Sequence, residues 1–106
     1  MTGALRMYYI VPETFMLFNQ KWRIRTAEKF ELSDDLGQCR PDQFEILLNT
    51  DQCEESLRHT LLHELVHSIE QKLHLELTER QTDLIALGLI DMLSNNPDLV
   101  TLFNRD

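Results

Sequence analysis

The chain has 106 residues and a formal net charge of -8, and 42% of its residues are hydrophobic against 26% charged. This composition is typical of one globular domain spanning residues 1–106, and it excludes a disordered, collagenous or membrane-spanning chain. The acidic balance argues against nucleic acid and anionic membrane surfaces as partners, because binding to either needs a positive field on the protein.

The first residues lack the long apolar stretch of a signal peptide, and the longest apolar run, residues 84–90, is too short to cross a bilayer. We therefore expect a cytoplasmic protein. In that compartment Cys39 and Cys53 are expected to be reduced thiols rather than a disulfide.

The first half of the chain is expected to form strands. Residues 21–25 alternate basic and apolar side chains, which is the pattern of a half-buried strand. A second strand is predicted over residues 44–49 (FEILLN), after turn signals at 33–37 and 41–42. An apolar run at residues 7–11 comes earlier, but its element type is not decided by its pattern.

A first helix is predicted over residues 52–74. Asp51 is the expected N-cap, with Glu54 three residues later completing a capping box. Apolar residues then recur at four-residue steps, as an amphipathic helix requires: Leu57, Leu61, Leu65 and Ile69.

A second helix begins after Thr78, which forms a capping-box pattern with Gln81, and ends near Ser94. Residues 98–106 are expected to form either a last helical turn or a loose tail. Together these elements predict an α+β fold, in which a small, mostly antiparallel N-terminal sheet of about three strands packs on the two helices.

The first helix contains His63-Glu64-Leu65-Val66-His67. Two histidines four residues apart lie on one helix face, so both imidazoles can bind one Zn²⁺ ion. Glu64 points beside that face and can reach a water molecule on the metal, which suits a general base.

A catalytic zinc site needs a third protein ligand. Glu79 is the best candidate, because it opens the second helix and a short connection would fold that helix across the first. Asp83, one turn later, can accept a hydrogen bond from a zinc-bound histidine. Three other residues fit less well: Glu70 follows His67 on the same helix, His74 has the wrong spacing, and Glu76 lies between the helices.

The pattern of His63-Glu64-x-x-His67 followed by Glu79-x-x-x-Asp83 resembles the gluzincin metallopeptidases. Over roughly residues 43–90 the chain is also similar to their minimal single-domain forms, the minigluzincins and the ImmA/IrrE-like peptidases common in phages. Only 11 residues separate His67 from Glu79, fewer than in the larger gluzincins.

The resemblance implies a zincin-like fold and a zinc metalloendopeptidase with one Zn²⁺ per chain, held by His63, His67 and Glu79. Glu64 is then the general base and Asp83 the partner of a zinc ligand. It also implies a peptide or protein substrate, and a location in the host cytoplasm if a phage encodes the chain. The substrate is expected on the edge strand formed by Phe44, Glu45, Ile46, Leu47, Leu48 and Asn49.

The sequence leaves several questions open. The donor that stabilises the oxyanion could be any of five residues: Tyr8, Tyr9, His59, His74 or Arg80. A catalytically silent zinc-binding domain that acts as an interaction or regulatory module is an alternative, as is an acidic protein that binds a basic partner. A regulatory protein partner is compatible with each reading, and the sequence does not predict an oligomeric state.

Overall fold

The computed structural model describes residues 11–28 and 30–104, so residues 7–10 of the apolar run predicted above lie outside the described part. The described residues form four strands, β1 (Thr14–Leu17), β2 (Gln20–Thr26), β3 (Gly37–Arg40) and β4 (Glu45–Leu48). Three α-helices follow them: α1 (Glu54–Leu73), α2 (Glu79–Asn95) and α3 (Pro97–Phe103). The predicted α+β class is confirmed.

The four strands form one mixed sheet in the order β1-β2-β4-β3. β1 and β2 form an antiparallel hairpin with a two-residue turn, Phe18 and Asn19. Both turn residues have positive φ angles, which is the geometry of the tight turns that match the twist of the two strands. β2 pairs with β4 in parallel, and β4 pairs with β3 antiparallel. The sheet is therefore mostly antiparallel, with one more strand than predicted.

The prediction that residues 44–49 form the sheet edge is wrong. β4 lies between β2 and β3, and all four of its residues are buried. Phe44 precedes the strand with a left-handed backbone (φ 51°, ψ 55°), and Asn49 follows it. The edge beyond β4 is formed by β3, a segment whose sequence, GQCR, has no apolar alternation to reveal a strand.

One face of the sheet packs on α1. Trp22 and Ile24 from β2 and Ile46 and Leu48 from β4 form a buried cluster with Leu57 of the helix. The alternation predicted for residues 21–25 is confirmed, since Trp22 and Ile24 are buried and the basic residues that alternate with them are not. Burial of this apolar face removes its side chains from water, which stabilises the fold. Leu61 and Leu65 continue this packing along α1, whereas Ile69 is 38% exposed.

On the opposite face, a buried carboxylate is balanced by two arginines. Glu45 of β4 is 1% exposed, and its Oε2 accepts hydrogen bonds from Arg23 Nη2 at 2.8 Å and Arg25 Nε at 2.9 Å. Arg25 also donates to Glu31 at 2.7 Å. The basic residues of β2 therefore neutralise a charge that would otherwise be costly to bury.

The helix boundaries agree with the prediction more closely than the caps do. The N-cap of α1 is Cys53, which makes no side-chain capping bond, so the assignment of Asp51 as N-cap is wrong. Asp51 instead donates its backbone N–H to Asn49 Oδ1 at 2.8 Å. At α2 the predicted capping box is confirmed, with Thr78 and Gln81 bonded reciprocally.

The two long helices pack against each other, and this brings the start of α2 beside the middle of α1. Among the helices of the described residues, none is both long and apolar enough to cross a membrane. Residues 97–103 form the short helix α3, the helical one of the two alternatives expected for the end of the chain.

Candidate metal centre

Three side chains from the two long helices converge at one point. Nε2 of His63 lies 3.2 Å from Nε2 of His67, and the two Glu79 carboxylate oxygens lie 3.1 Å and 3.0 Å from these nitrogens. Ligands at zinc distances of about 2.0–2.1 Å in a tetrahedral arrangement are about 3.3 Å apart. The three predicted ligands therefore form a group that could hold a metal ion.

Local structure explains the convergence. His63 and His67 are one helical turn apart on α1, so their rings project from the same face. Glu79 is the first residue of α2, directly after the Thr78 cap, so the capping box fixes the backbone from which its side chain extends. Glu79 is the exposed member of the group, with 76% of its side chain accessible.

The outer nitrogens of both histidines face carboxylates. His63 Nδ1 lies 3.3 Å from Asp83 Oδ1, the contact that the sequence analysis expected. His67 Nδ1 lies 3.0 Å from Glu70 Oε1. A proton on each Nδ1 donates to its carboxylate and leaves the Nε2 lone pair free for a metal, as in most histidine-ligated metal sites.

Glu70 is the residue whose place the sequence reasoning missed. Its position on the same helix as His67 makes it a poor third ligand, and in the structure its carboxylate lies against the outer nitrogen of His67. The signal that could have found it is the three-residue spacing, which puts Glu70 and His67 side by side on the helix surface.

Glu64 is buried beside the metal-ligand group, with 7% of its surface exposed. Burial raises the pKa of its carboxyl group, and the charges of Glu79 and Asp35 raise it further, while His63 and His67 act in the opposite direction. A carboxylate with a raised pKa accepts a proton more readily than an ordinary glutamate, which is what a general base requires.

The metal-ligand group opens into a cleft of about 650 Å³. One side of the cleft is α1, including Glu64, and the other comes from the edge strand β3 and the residue before it, including Leu36, Gly37 and Cys39. β3 pairs with β4 along one side, and among the described residues no strand pairs with its other side. An unpaired strand edge can form backbone hydrogen bonds with an extended peptide.

Among the described candidates for the oxyanion donor, His59 is the one that lines the cleft. It lines the cleft one helical turn before His63, and its Nε2 is 3.0 Å from Asp83 Oδ1 without the direction of a hydrogen bond. His74 and Arg80 are exposed and do not line the cleft. Tyr8 and Tyr9 lie outside the described residues.

The other possible ligands, Glu76 and His74, and the two cysteines lie outside the metal-ligand group. His74, the C-cap of α1, and Glu76, in the connection to α2, are both exposed, and neither belongs to the metal-ligand group. Cys39 and Cys53 are free thiols, as predicted. Burial of Cys39 and the nearby charges of Glu64 and Glu70 raise its pKa to about 12.

No protein-family model matches the chain, and no curated protein or solved structure matches it either. The fold and the side chains of the cleft are therefore the basis for the function proposed below.

Proposed function

We propose that the protein is a zinc-dependent metallopeptidase, a minimal single-domain form of the gluzincin type. The observation that carries the proposal is the convergence of His63, His67 and Glu79, whose donor atoms all lie within 4.8 Å of one another beside buried Glu64. Two imidazoles and one carboxylate are a donor set of catalytic zinc sites, which keep one coordination position open.

The shape of the centre supports catalysis better than a purely structural metal site. Structural zinc is normally held by four protein ligands, often cysteines, in a closed tetrahedron. Within the described residues the group has three members and faces an open cleft, and neither cysteine belongs to it. A buried glutamate next to such an open site does not stabilise the fold, because burial of its charge costs free energy.

When bound, zinc polarises the peptide carbonyl and lowers the pKa of water to near 7. The chain's own residues supply the remaining steps of hydrolysis. The Glu64 carboxylate takes the proton from the attacking water and then delivers it to the leaving amine nitrogen. Asp83 and Glu70 accept hydrogen bonds from the Nδ1 atoms of the two histidines and hold both rings in the orientation for metal binding.

The substrate is a peptide segment in an extended conformation, paired antiparallel with β3. The proposed substrate strand is therefore Gly37–Arg40 rather than residues 44–49, because β4 has neighbours on both sides and, within residues 11–28 and 30–104, no strand pairs with the outer side of β3. β3 also lines the cleft next to Glu64, so a paired peptide would pass close to the general base.

The first experiment measures zinc by elemental analysis after identical dialysis of the wild-type protein and three variants. We expect about one zinc per chain in the wild type and in Glu64→Gln, and a clear loss in Glu79→Ala. Glu76→Ala is the matched control, since it removes an exposed glutamate three residues earlier that does not belong to the metal-ligand group. Absence of zinc after reconstitution of the wild type would refute the proposal.

The second experiment separates an enzyme from a silent zinc-binding domain. Wild-type protein and Glu64→Gln are each incubated with a mixture of unfolded proteins, and new peptide termini are identified by mass spectrometry. Termini that form only with the wild type support peptidase activity. Zinc binding with no such termini would favour the silent domain.

A further inference from the structure

We infer that Glu70 is the positioning residue of the metal centre. Its carboxylate contacts both the ring of His67 and the backbone of the connection that leads to Glu79. The inference rests on the proposed metal site and goes beyond it, because it explains how a ligand only 12 positions after His67 in the sequence returns from the second helix to the first. Two oxygens of one carboxylate make the two contacts involved.

The first contact concerns the ligand itself. Glu70 Oε1 lies 3.0 Å from Nδ1 of His67, one turn earlier on α1. A carboxylate at this nitrogen favours the tautomer that carries its proton on Nδ1 and leaves Nε2 free. It also restricts rotation of the ring, so that Nε2 keeps facing His63 and Glu79.

The second contact concerns the connection between the helices. Glu70 Oε2 accepts a hydrogen bond from the backbone N–H of Leu77 at 3.0 Å. Leu77 immediately precedes Thr78, the N-cap of α2, and Glu79 is the first residue of that helix. The carboxylate thus fixes the backbone two residues before the third ligand.

The backbone of Glu70 contributes to the same arrangement. α1 ends with His74 in the left-handed conformation (φ 56°, ψ 43°), and the N–H of Leu75 donates to the carbonyl of Glu70 at 3.0 Å. The N–H of His74 donates to Gln71 in addition, which completes the usual pair of bonds at a helix C-terminus. This reversal turns the chain back along α1, where the Glu70 side chain can reach Leu77.

The surroundings keep the Glu70 side chain in place. Only 14% of it is exposed, against 76% for Glu79. Each of its two carboxylate oxygens has a polar partner, the His67 ring nitrogen for Oε1 and the Leu77 N–H for Oε2.

The test compares the zinc affinity of the wild type, Glu70→Ala and Glu70→Gln by competition with a chromophoric chelator. Loss of a carboxylate that orients a zinc-bound histidine typically weakens metal binding by about 10–100-fold, and we expect this range for Glu70→Ala. Glu70→Gln keeps one oxygen as an acceptor and is expected to fall between Glu70→Ala and the wild type. Glu76→Ala makes the same change of charge in the connection after α1 and should stay within about twofold of the wild type.

A second measurement separates positioning from general loss of stability. In the metal-free protein, long-range proton–nitrogen NMR spectra report which ring nitrogen of each histidine carries the proton. We expect Glu70→Ala to reduce the Nδ1–H form of His67 but to leave His63 unchanged, because Asp83 remains next to His63. Should Glu70→Ala fail to fold, the same spectra are recorded on Glu70→Gln.

The outcomes distinguish this inference from the proposed function. If the wild type binds no zinc, both fail. If the wild type binds zinc and Glu79→Ala does not, while folded Glu70→Ala binds zinc as tightly as the wild type, the inference alone is overturned. It is also overturned if affinity falls while the His67 tautomer stays unchanged.

Discussion

Gly37, the first residue of the edge strand, offers the sharpest test of how the cleft is built. A Cβ atom at this position would lie 2.6 Å from Thr60 Cγ2, 3.2 Å from the Leu47 carbonyl oxygen and 3.3 Å from Glu64 Cγ. Comfortable contacts between carbon atoms are about 3.5–4.0 Å, so the methyl group of Gly37→Ala is about 1 Å too close to Thr60. Either the Thr60 side chain must rotate or β3 must move away from α1.

Both adjustments cost free energy. Rotation of Thr60 would break the bond from its Oγ1 to Gln52 Oε1 at 3.1 Å, and movement of β3 would disturb its pairing with β4. Overpacking of this kind destabilises by about 1–3 kcal/mol. For a domain of this size each kcal/mol lowers the melting temperature by roughly 4–8 °C. We therefore expect a clear loss of stability in urea and thermal unfolding of metal-free Gly37→Ala.

Two further variants identify the cause. Gly88→Ala is the matched control, because a Cβ atom at Gly88 in α2 meets nothing within 4 Å. It should stabilise the protein by about 0.5–1 kcal/mol through helix propensity. Thr60→Ser removes the clashing methyl group but keeps the hydroxyl, so adding it to Gly37→Ala should restore most of the lost stability.

The zinc content of the same variants provides an independent check. The predicted ligands lie on α1 and α2, so Gly37→Ala should retain the zinc content of the wild type. The reasoning is refuted if Gly37→Ala is as stable as the wild type. It is equally refuted if Thr60→Ser does not couple favourably with it in a double-mutant cycle, where contacting residues typically interact by about 0.5 kcal/mol or more.

Three other predictions concern residues around the metal-ligand group. Thr78→Ala removes the capping box and should lower the free energy of unfolding by about 0.5–2 kcal/mol in urea unfolding, and it should weaken zinc binding because Glu79 follows it directly. At pH 8 iodoacetamide should modify exposed Cys53 in peptide maps, whereas Cys39, with its pKa raised to about 12, should react only after unfolding. Glu64→Gln should raise the free energy of unfolding of the metal-free protein near pH 7, as measured by urea unfolding. Burial raises the pKa of Glu64, so its ionised form lowers the free energy of unfolding at high pH. The difference between the variant and the wild type should therefore disappear as the pH falls below the pKa of an ordinary glutamate.

Features encoded by neighbouring residues were predictable from the sequence. The four-residue spacing of His63 and His67 on a helix, and the capping box at Thr78, depend only on local backbone geometry, and both are present in the structure. The position of Glu79 followed from the same information, because a short connection after a helix forces the next helix to return along it.

Features that depend on pairing between distant segments were not predictable. β3 has four half-buried residues and no alternating pattern, so the sequence alone did not identify it as a strand. The parallel pairing of β2 with β4 joins residues about 22 positions apart, for example Arg23 with Glu45, and this pairing leaves β4 in the middle of the sheet. The predicted edge was therefore assigned to the wrong strand.

The two unforeseen features, β3 and Glu70, explain how so short a chain can form a cleft. Gly37 lets β3 lie against α1 near Glu64, since any side chain there would meet Thr60. Glu70 holds the connection to α2 against α1 through Leu77. The first contact bears on the distance between the strand edge and Glu64, and the second on the position of Glu79. The described residues therefore bring the proposed ligands, Glu64 and the strand edge together through these two contacts.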